Sequence, residues 1–225
     1  MKFSFITLTN NGYLEYTKNL IKSLEKINVN NLKVYCNDDK CFNNLDYENK
    51  FKIIHTDDEE IEDFQTFRSG EEWAKIVFQK FRIIHRELLK NDYVLFTDGD
   101  IIFKDKRFLQ DLLNRIDDND LLIQNDKQND NDDSELCTGF QFIKSNEKTL
   151  DFYNPDKVSL KEFGCDQPYI NKYKNKLIYE KLPLRKYPNG LYYQTHKKNS
   201  YMIHYNYLIG HSKKEMMIKD NHWFI

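Results

Sequence analysis

Asp98 and Asp100 stand two residues apart, separated by Gly99, in the stretch Tyr93-Val94-Leu95-Phe96-Thr97-Asp98-Gly99-Asp100-Ile101-Ile102-Phe103. In extended backbone, positions i and i+2 project to the same side, so both carboxylates can face one point. Two anions held that close repel and shift each other's pKa. A divalent metal between them resolves the conflict, and metal-assisted chemistry is what the pair suggests. Gly99 allows close backbone approach by a ligand. The carboxyl end of a strand in an open α/β sheet is also where ligands bind. An Asp-Gly turn that merely closes a strand uses the same residues, so the pair needs support from the rest of the chain.

Holding such a pair requires a buried strand that stops at it, and Asp92–Phe96 reads as that strand. Upstream, Phe3–Leu8 is a short apolar strand. Tyr13–Ile27 follows as a helix, with Leu14, Thr17, Leu20, Ile21 and Leu24 at i, i+3, i+4 intervals. Leu32–Cys36 and Lys52–His55 are further strands. Glu71–Leu89 is the longest helical segment, with Ile76, Phe78, Phe81, Ile84 and Leu88 mostly on one side, and Lys106–Ile116 is another helix. This alternation predicts an α/β domain with a mainly parallel sheet. Gln124–Glu135 (QNDKQNDNDDSE) breaks the pattern and reads as a solvated loop. It lacks the glycine and terminal glutamate of an EF-hand loop, so calcium is set aside. Beyond it, Gly139–Lys144 reads as a strand, Asp166–Tyr173 as a helix and Tyr201–His204 as a final strand. With no internal repeat and no linker, the expectation is one domain over 1–225.

Composition agrees with that size. The 225 residues are 40% hydrophobic, enough for one sizeable core. A net charge of −2 gives no reason to expect nucleic acid or an anionic membrane as partner. No apolar run approaches the ~20 residues needed to span a bilayer. Met1–Thr7 turns polar too soon for a signal peptide and reads as the first strand. Cys36, Cys41, Cys137 and Cys165 lack CxxC spacing and disulfide-scaffold density, so reduced thiols in a cytoplasmic compartment are expected.

Several blocks, in order along nearly the whole chain, resemble glycogenin-like sugar transferases of the nucleotide-diphospho-sugar transferase group. Phe5-Ile6-Thr7-Leu8-Thr9-Asn10-Asn11-Gly12-Tyr13 is similar to their opening, and Val94–Asp100 to their metal motif. Thr138-Gly139-Phe140-Gln141 resembles a later strand, and Asp166-Gln167-Pro168-Tyr169-Ile170-Asn171 a helix start. His204-Tyr205-Asn206 through Gly210 and Lys213 resembles a terminal His…Gly-x-x-Lys element, and Pro188-Asn189-Gly190 is shared with the broader group. A haloacid-dehalogenase-like phosphatase, the rival for an acidic pair after a strand, wants that strand near the N-terminus and Thr or Val where Ile102 stands.

The resemblance implies a GT-A type fold and a metal-dependent glycosyltransferase moving a sugar from a UDP-sugar to a hydroxyl acceptor with retention. It implies that Leu8, Asn11 and Tyr13 line the uridine pocket, Tyr13 by stacking, and that Lys80 or Arg82 reaches the donor. Asp98, Asp100 and His204 are the implied ligands of Mn²⁺, with Mg²⁺ as the alternative. Gly99 and Gly210 would admit the phosphates, Lys213 would meet their charge, and Asp166 and Gln167 would sit beside the transferred sugar. For Asp166 the rival role is an N-cap on its helix. The donor half is expected at about 1–105, and the acceptor and C-terminal metal half at about 106–225. Cys137 departs from the family's Asn at its position, and His204 and Gly210 are spaced more widely than in glycogenin. Three readings remain open: the enzyme, a non-catalytic sugar-nucleotide or glycan binder on the same fold, and a self-glycosylating primer using Tyr187, Tyr192 or Tyr193. Homodimer formation is also left open.

Overall fold

Strands and helices alternate through the first half of the chain and the order loosens afterwards. The structure, a computed structural model, describes residues 1–45, 51–56, 60–66, 70–197 and 199–225. Its strands are β1 (Phe3–Thr9), β2 (Leu32–Cys36), β3 (Lys52–His55), β4 (Tyr93–Thr97), β5 (Ile101–Phe103), β6 (Leu121–Asn125), β7 (Leu136–Lys144), β8 (Tyr179–Leu182) and β9 (Met202–His204). Its helices are α1 (Leu14–Lys26), α2 (Asp39–Asn44), α3 (Glu71–Leu88), α4 (Arg107–Arg115), α5 (Glu147–Phe152), α6 (Leu160–Phe163), α7 (Asp166–Tyr173), α8 (Gly190–His196) and α9 (His211–Lys219).

Seven strands form the central sheet in the order β3-β2-β1-β4-β7-β6-β8. β3, β2, β1 and β4 pair in parallel, as do β6 and β8, while β7 runs antiparallel to both of its neighbours. The expected α/β domain with a mostly parallel sheet is what forms.

Successive strand residues enter opposite cores, as the period of two dictates. Phe5, Val34, Leu95 and Leu122 join α1 and α4 on one face. Ile6, Tyr35, Phe96 and Ile123 join α3, α5 and α7 on the other. Burial on both faces explains why these strands read as unbroken apolar runs. A smaller cluster of Tyr16, Ile102, Ile203, Tyr205 and Met217 ties α9 and the β5–β9 ribbon to α1.

α3 carries a cation to the site and is anchored at its far end. Buried Glu87 accepts hydrogen bonds from Ser4 Oγ (2.5 Å), Lys33 Nζ (2.6 Å) and Tyr35 Oη (2.7 Å), which fastens the helix to β1 and β2. Burial alone would raise the Glu87 carboxyl, but these donors, Lys33 foremost, hold it below the usual range.

The Gln124–Glu135 segment corrects the loop reading. Gln124 and Asn125 end β6 with no exposed surface, and Asp126 is nearly buried. Only beyond them does the chain enter the acidic turn, which Lys181 fastens through Asp133 and the carbonyls of Asp130 and Asp132. Two polar residues at the end of Leu121-Leu122-Ile123 disguised the strand. β5, β8, α2, α5, α6 and α8 carry too few residues for periodicity to reveal them, and α9 presents no continuous apolar face.

Candidate active site

β4 ends at Thr97, and the chain turns through Asp98-Gly99-Asp100 into β5. The Asp98 amide donates to Gly139 O at 2.7 Å, pinning this turn to β7. β5 pairs antiparallel with β9, with Ile101 opposite His204, and the Tyr205 amide donates to Asp100 O at 3.1 Å. That ribbon delivers a histidine from the end of the chain to two aspartates at its middle.

Ligating atoms of Asp98, Asp100 and His204 lie within 4.8 Å of one another. His204 Nε2 stands 3.2 Å from Asp100 Oδ1 and 3.9 Å from Asp98 Oδ2. Two carboxylates and one imidazole suit an oxygen-preferring divalent cation that tolerates nitrogen, Mn²⁺ before Ca²⁺. The residues present therefore fit the metal the sequence suggests. Gly139 makes the space: a Cβ built there would lie 2.4 Å from His204 Cε1 and 2.6 Å from Asp98 Oδ2. Gly139→Ala is expected to spread the three groups and weaken Mn²⁺ binding by roughly 10–100-fold, the scale of a lost outer-shell partner. Titration against free Mn²⁺ by electron paramagnetic resonance measures this, and an unchanged affinity would count against a shared site.

Two buried lysines balance the carboxylates. Lys213, in the first turn of α9, pairs with Asp100 Oδ2, and its ammonium donates to Tyr13 Oη at 3.2 Å. Lys80 on α3 bridges Asp98 Oδ1 at 3.0 Å and Asp166 Oδ2 at 3.2 Å. Burial pushes both ammonium groups down, but Asp166 and Asp98 more than offset it at Lys80, and Asp100 does so at Lys213. Both lysines are held above the usual range. Burial would raise the Asp100 carboxyl, but Lys213 and His204 hold it well below the ordinary carboxylate value.

Asp166 opens α7, whose N-cap is Cys165 and has no side-chain capping bond. The N-cap role considered for Asp166 is thus replaced by the ion pair with Lys80. Gln167 turns the other way, its amide donating to Asp126 Oδ2 (2.9 Å) and Glu135 Oε1 (3.1 Å). Burial pushes the Asp126 carboxyl up. Asn206 Nδ2 donates to Asp126 Oδ1 at 3.0 Å, and Asn206 Oδ1 accepts from the Gly190 amide at 2.7 Å. Pro188-Asn189-Gly190 and His204-Tyr205-Asn206, separate blocks in the sequence, thereby form one wall.

All these groups face a cleft of about 800 Å³, within the usual range for a small-molecule site. Leu8, Tyr13, Lys80, Gly99, Gln167 and Lys213 line it, together with Asp98, Asp100, His204 and Asp166. Three expected donor contacts are not among its lining residues. Arg82 lies two residues beyond Lys80, roughly 200° around the helix, and is exposed. Asn11 donates its backbone amide to Asp38 Oδ2 (2.8 Å), and Asn10 lines the cleft instead. Gly210 sits at the start of α9, where its carbonyl accepts from Tyr16 Oη at 2.8 Å. Tyr13 also departs from a free stacking platform, because Phe64 covers one ring face at 5.0 Å and 8°. Gly12 permits this, since any Cβ there would run into the backbone of Asp63 and Phe64.

Cys137 lines the cleft as a buried thiol that burial pushes well above its usual pKa, with Sγ 3.7 Å from His204 Nδ1. Of the three primer tyrosines, Tyr192 alone is partly exposed. Tyr187 is fully buried with its hydroxyl bonded to Asp111 Oδ2 (2.9 Å), Tyr193 is buried, and Tyr192 stacks on His196. None of the three lines the cleft. Among the described residues, no helix is long and apolar enough to cross a membrane. Residues that sequence reasoning missed are Gln124, Asp126, Gly139 and Asn206. The last two stood inside blocks noticed for other reasons, whereas the first two were hidden in a polar run.

The fold has counterparts among known proteins. A UDP-galactose:fucoside alpha-3-galactosyltransferase of Dictyostelium discoideum is 27% identical over 282 residues, covering 98% of this chain and 43% of that protein. The chain thus spans less than half the length of that curated relative. The glycosyltransferase GlyE of Streptococcus pneumoniae TIGR4 superposes with a TM-score of 0.64 at 16% identity, over all of this chain and 60% of its own. The galactosyltransferase LgtC, solved with donor and acceptor sugar analogs, superposes with a TM-score of 0.60 at 11% identity, covering 89% of this chain and 86% of its own. Such structural likeness identifies the fold as that of the GT-A glycosyltransferases. Residues 27–218 match the model of the nucleotide-diphospho-sugar transferases, and the chain belongs to that family.

Proposed function

We propose that this chain is a metal-dependent glycosyltransferase that moves a hexose from a UDP-sugar to a hydroxyl of a glycan or other acceptor, with retention. The observation that carries this reading is the convergence of Asp98, Asp100 and His204 on one point of the cleft, with Lys80 and Asp166 beside them. Asp98, Asp100 and His204 would hold a divalent cation (Mn²⁺ or Mg²⁺), which would supply positive charge against the departing nucleotide diphosphate. Lys213 supplies a second positive charge to that leaving group. Leu8, Tyr13, Trp73 and Val77 offer the apolar surface for the base.

Asp166, held by Lys80, and Gln167 flank the transferred sugar. Asp126, Glu135 and Asn206 present acceptors and a donor suited to sugar hydroxyls, so the acceptor belongs on their side. The donor half is therefore drawn from about residues 1–105 and the acceptor half from 106–225, with His204 crossing over to complete the metal set. The alpha-3-galactosyltransferase relative favours UDP-galactose as donor. Galactose is α-linked in that donor, so an α product is the retained one. Four free thiols agree with a reducing, cytoplasmic compartment.

A panel of UDP- and GDP-sugars scored for Mn²⁺-dependent nucleotide release tests the proposal, with product anomers assigned by NMR. Release from a UDP-hexose and an α product is the expected result. Tight UDP-sugar binding without release, under every metal and acceptor supplied, would instead establish a non-catalytic binder.

A further inference from the structure

Gln124 is fully buried and His204 is 2% exposed, and the two meet at 2.7 Å between Gln124 Oε1 and His204 Nδ1. The direction of the amide is fixed from behind. Gln124 Nε2 donates to Tyr187 O at 3.2 Å and Pro188 O at 3.0 Å, and carbonyls only accept. The oxygen must therefore face the histidine, and Nδ1 must carry the proton it accepts. In the neutral ring this leaves the lone pair on Nε2, the nitrogen that faces Asp98 and Asp100. A lone pair aimed at two carboxylates is repulsive unless a metal cation or a second ring proton lies between them. The Sγ of Cys137, the other neighbour of Nδ1, is a poor acceptor at 3.7 Å. The sheet also bends at this position: the register between β6 and β7 shifts between Ile123 and Gln124, an irregularity of the kind that re-aims a side chain beside a site.

From this geometry we infer that Gln124 is a positioning residue for the metal centre, fixing the tautomer and ring orientation of His204 so that Nε2 serves as ligand. The inference rests on the metal site proposed above. Its physical basis is general, since ligating histidines are oriented by the partner of their second ring nitrogen, and losing that partner costs roughly 10–100-fold in metal affinity.

The test uses the full chain and Mn²⁺ alone, with dissociation constants read from the free-Mn²⁺ resonance signal and a thermal melt for each variant. Gln124→Leu removes both the acceptor toward His204 and the donors to Tyr187 and Pro188. Gln124→Glu also loses those donors but keeps an acceptor. Gln124→Leu is expected to bind Mn²⁺ roughly 10–100-fold more weakly, and Gln124→Glu close to the unmodified chain. Equal losses in both would assign Gln124 to the two carbonyls and overturn the inference, as would unchanged affinity in Gln124→Leu. His204→Ala separates the two levels: if it binds Mn²⁺ normally, the metal site itself is wrong, whereas weak binding there with normal binding in Gln124→Leu sinks only the positioning role.

Discussion

Asp100→Asn is expected to lower sugar transfer by about 10²–10⁴-fold, equivalent to several kcal/mol of lost charge stabilisation at the leaving group. Asparagine keeps the volume and one oxygen but removes the anion that faces both His204 and Lys213. Lys213 is 4% exposed, so the substitution leaves a buried ammonium without its counter-charge. Breaking such a pair costs about 3–5 kcal/mol, and the metal-free variant should melt lower as a result. The two effects separate by adding metal. Mn²⁺ should raise the melting temperature of the unmodified chain, because a ligand of the native state stabilises it by mass action. It should leave Asp100→Asn unmoved. Transfer within a few-fold of the original rate, at any Mn²⁺ concentration, would remove Asp100 from the metal set.

Lys80→Met should give a comparable loss of stability. Lys80 lies between Asp98 and Asp166 with 7% of its surface exposed, and methionine preserves much of the stem while deleting the charge. Asp166 then stays buried with no cation, at a cost of about 3–5 kcal/mol. For a chain of this length that is a fall in Tm of roughly 6–20 °C. Transfer should fall as well, because Asp166 loses the group that orients it toward the sugar. Asp166→Asn removes the repulsion from the other side, so the double variant should recover much of the lost stability and none of the activity. Such non-additivity is the mark of direct coupling. Additive melting shifts in the double variant would show that the bridge does not hold Asp166, and that α7 positions it unaided.

The sequence by itself determined five of the seven strands of the central sheet and the acidic turn. Leu95 and Phe96 sit in a run buried on both faces, which leaves few alternatives to a central strand. Asp98 and Asp100 at its end suggest a cation by their spacing, and the ordered blocks elsewhere in the chain supply the support that reading needs. Lys213 and His204 were identified by order within a pattern, with nothing in their own surroundings to mark them. Tertiary structure alone decided which polar side chains turn inward. Arg82 and Lys80 are equal in charge and two residues apart, and only the packing of α3 on the sheet buries one and exposes the other. Asn10 lines the cleft where Asn11 was expected, its side-chain amide tied to the carbonyls of Ile61 and Asp63. Gln124 stood in a run that reads as solvent-facing, yet the end of β6 carries it to zero exposure against His204. The physical reason is common to all three. Local periodicity reports the apolar face of an element, whereas a polar residue's role depends on partners brought from distant parts of the chain, and those exist only once the sheet and the β5–β9 ribbon have closed.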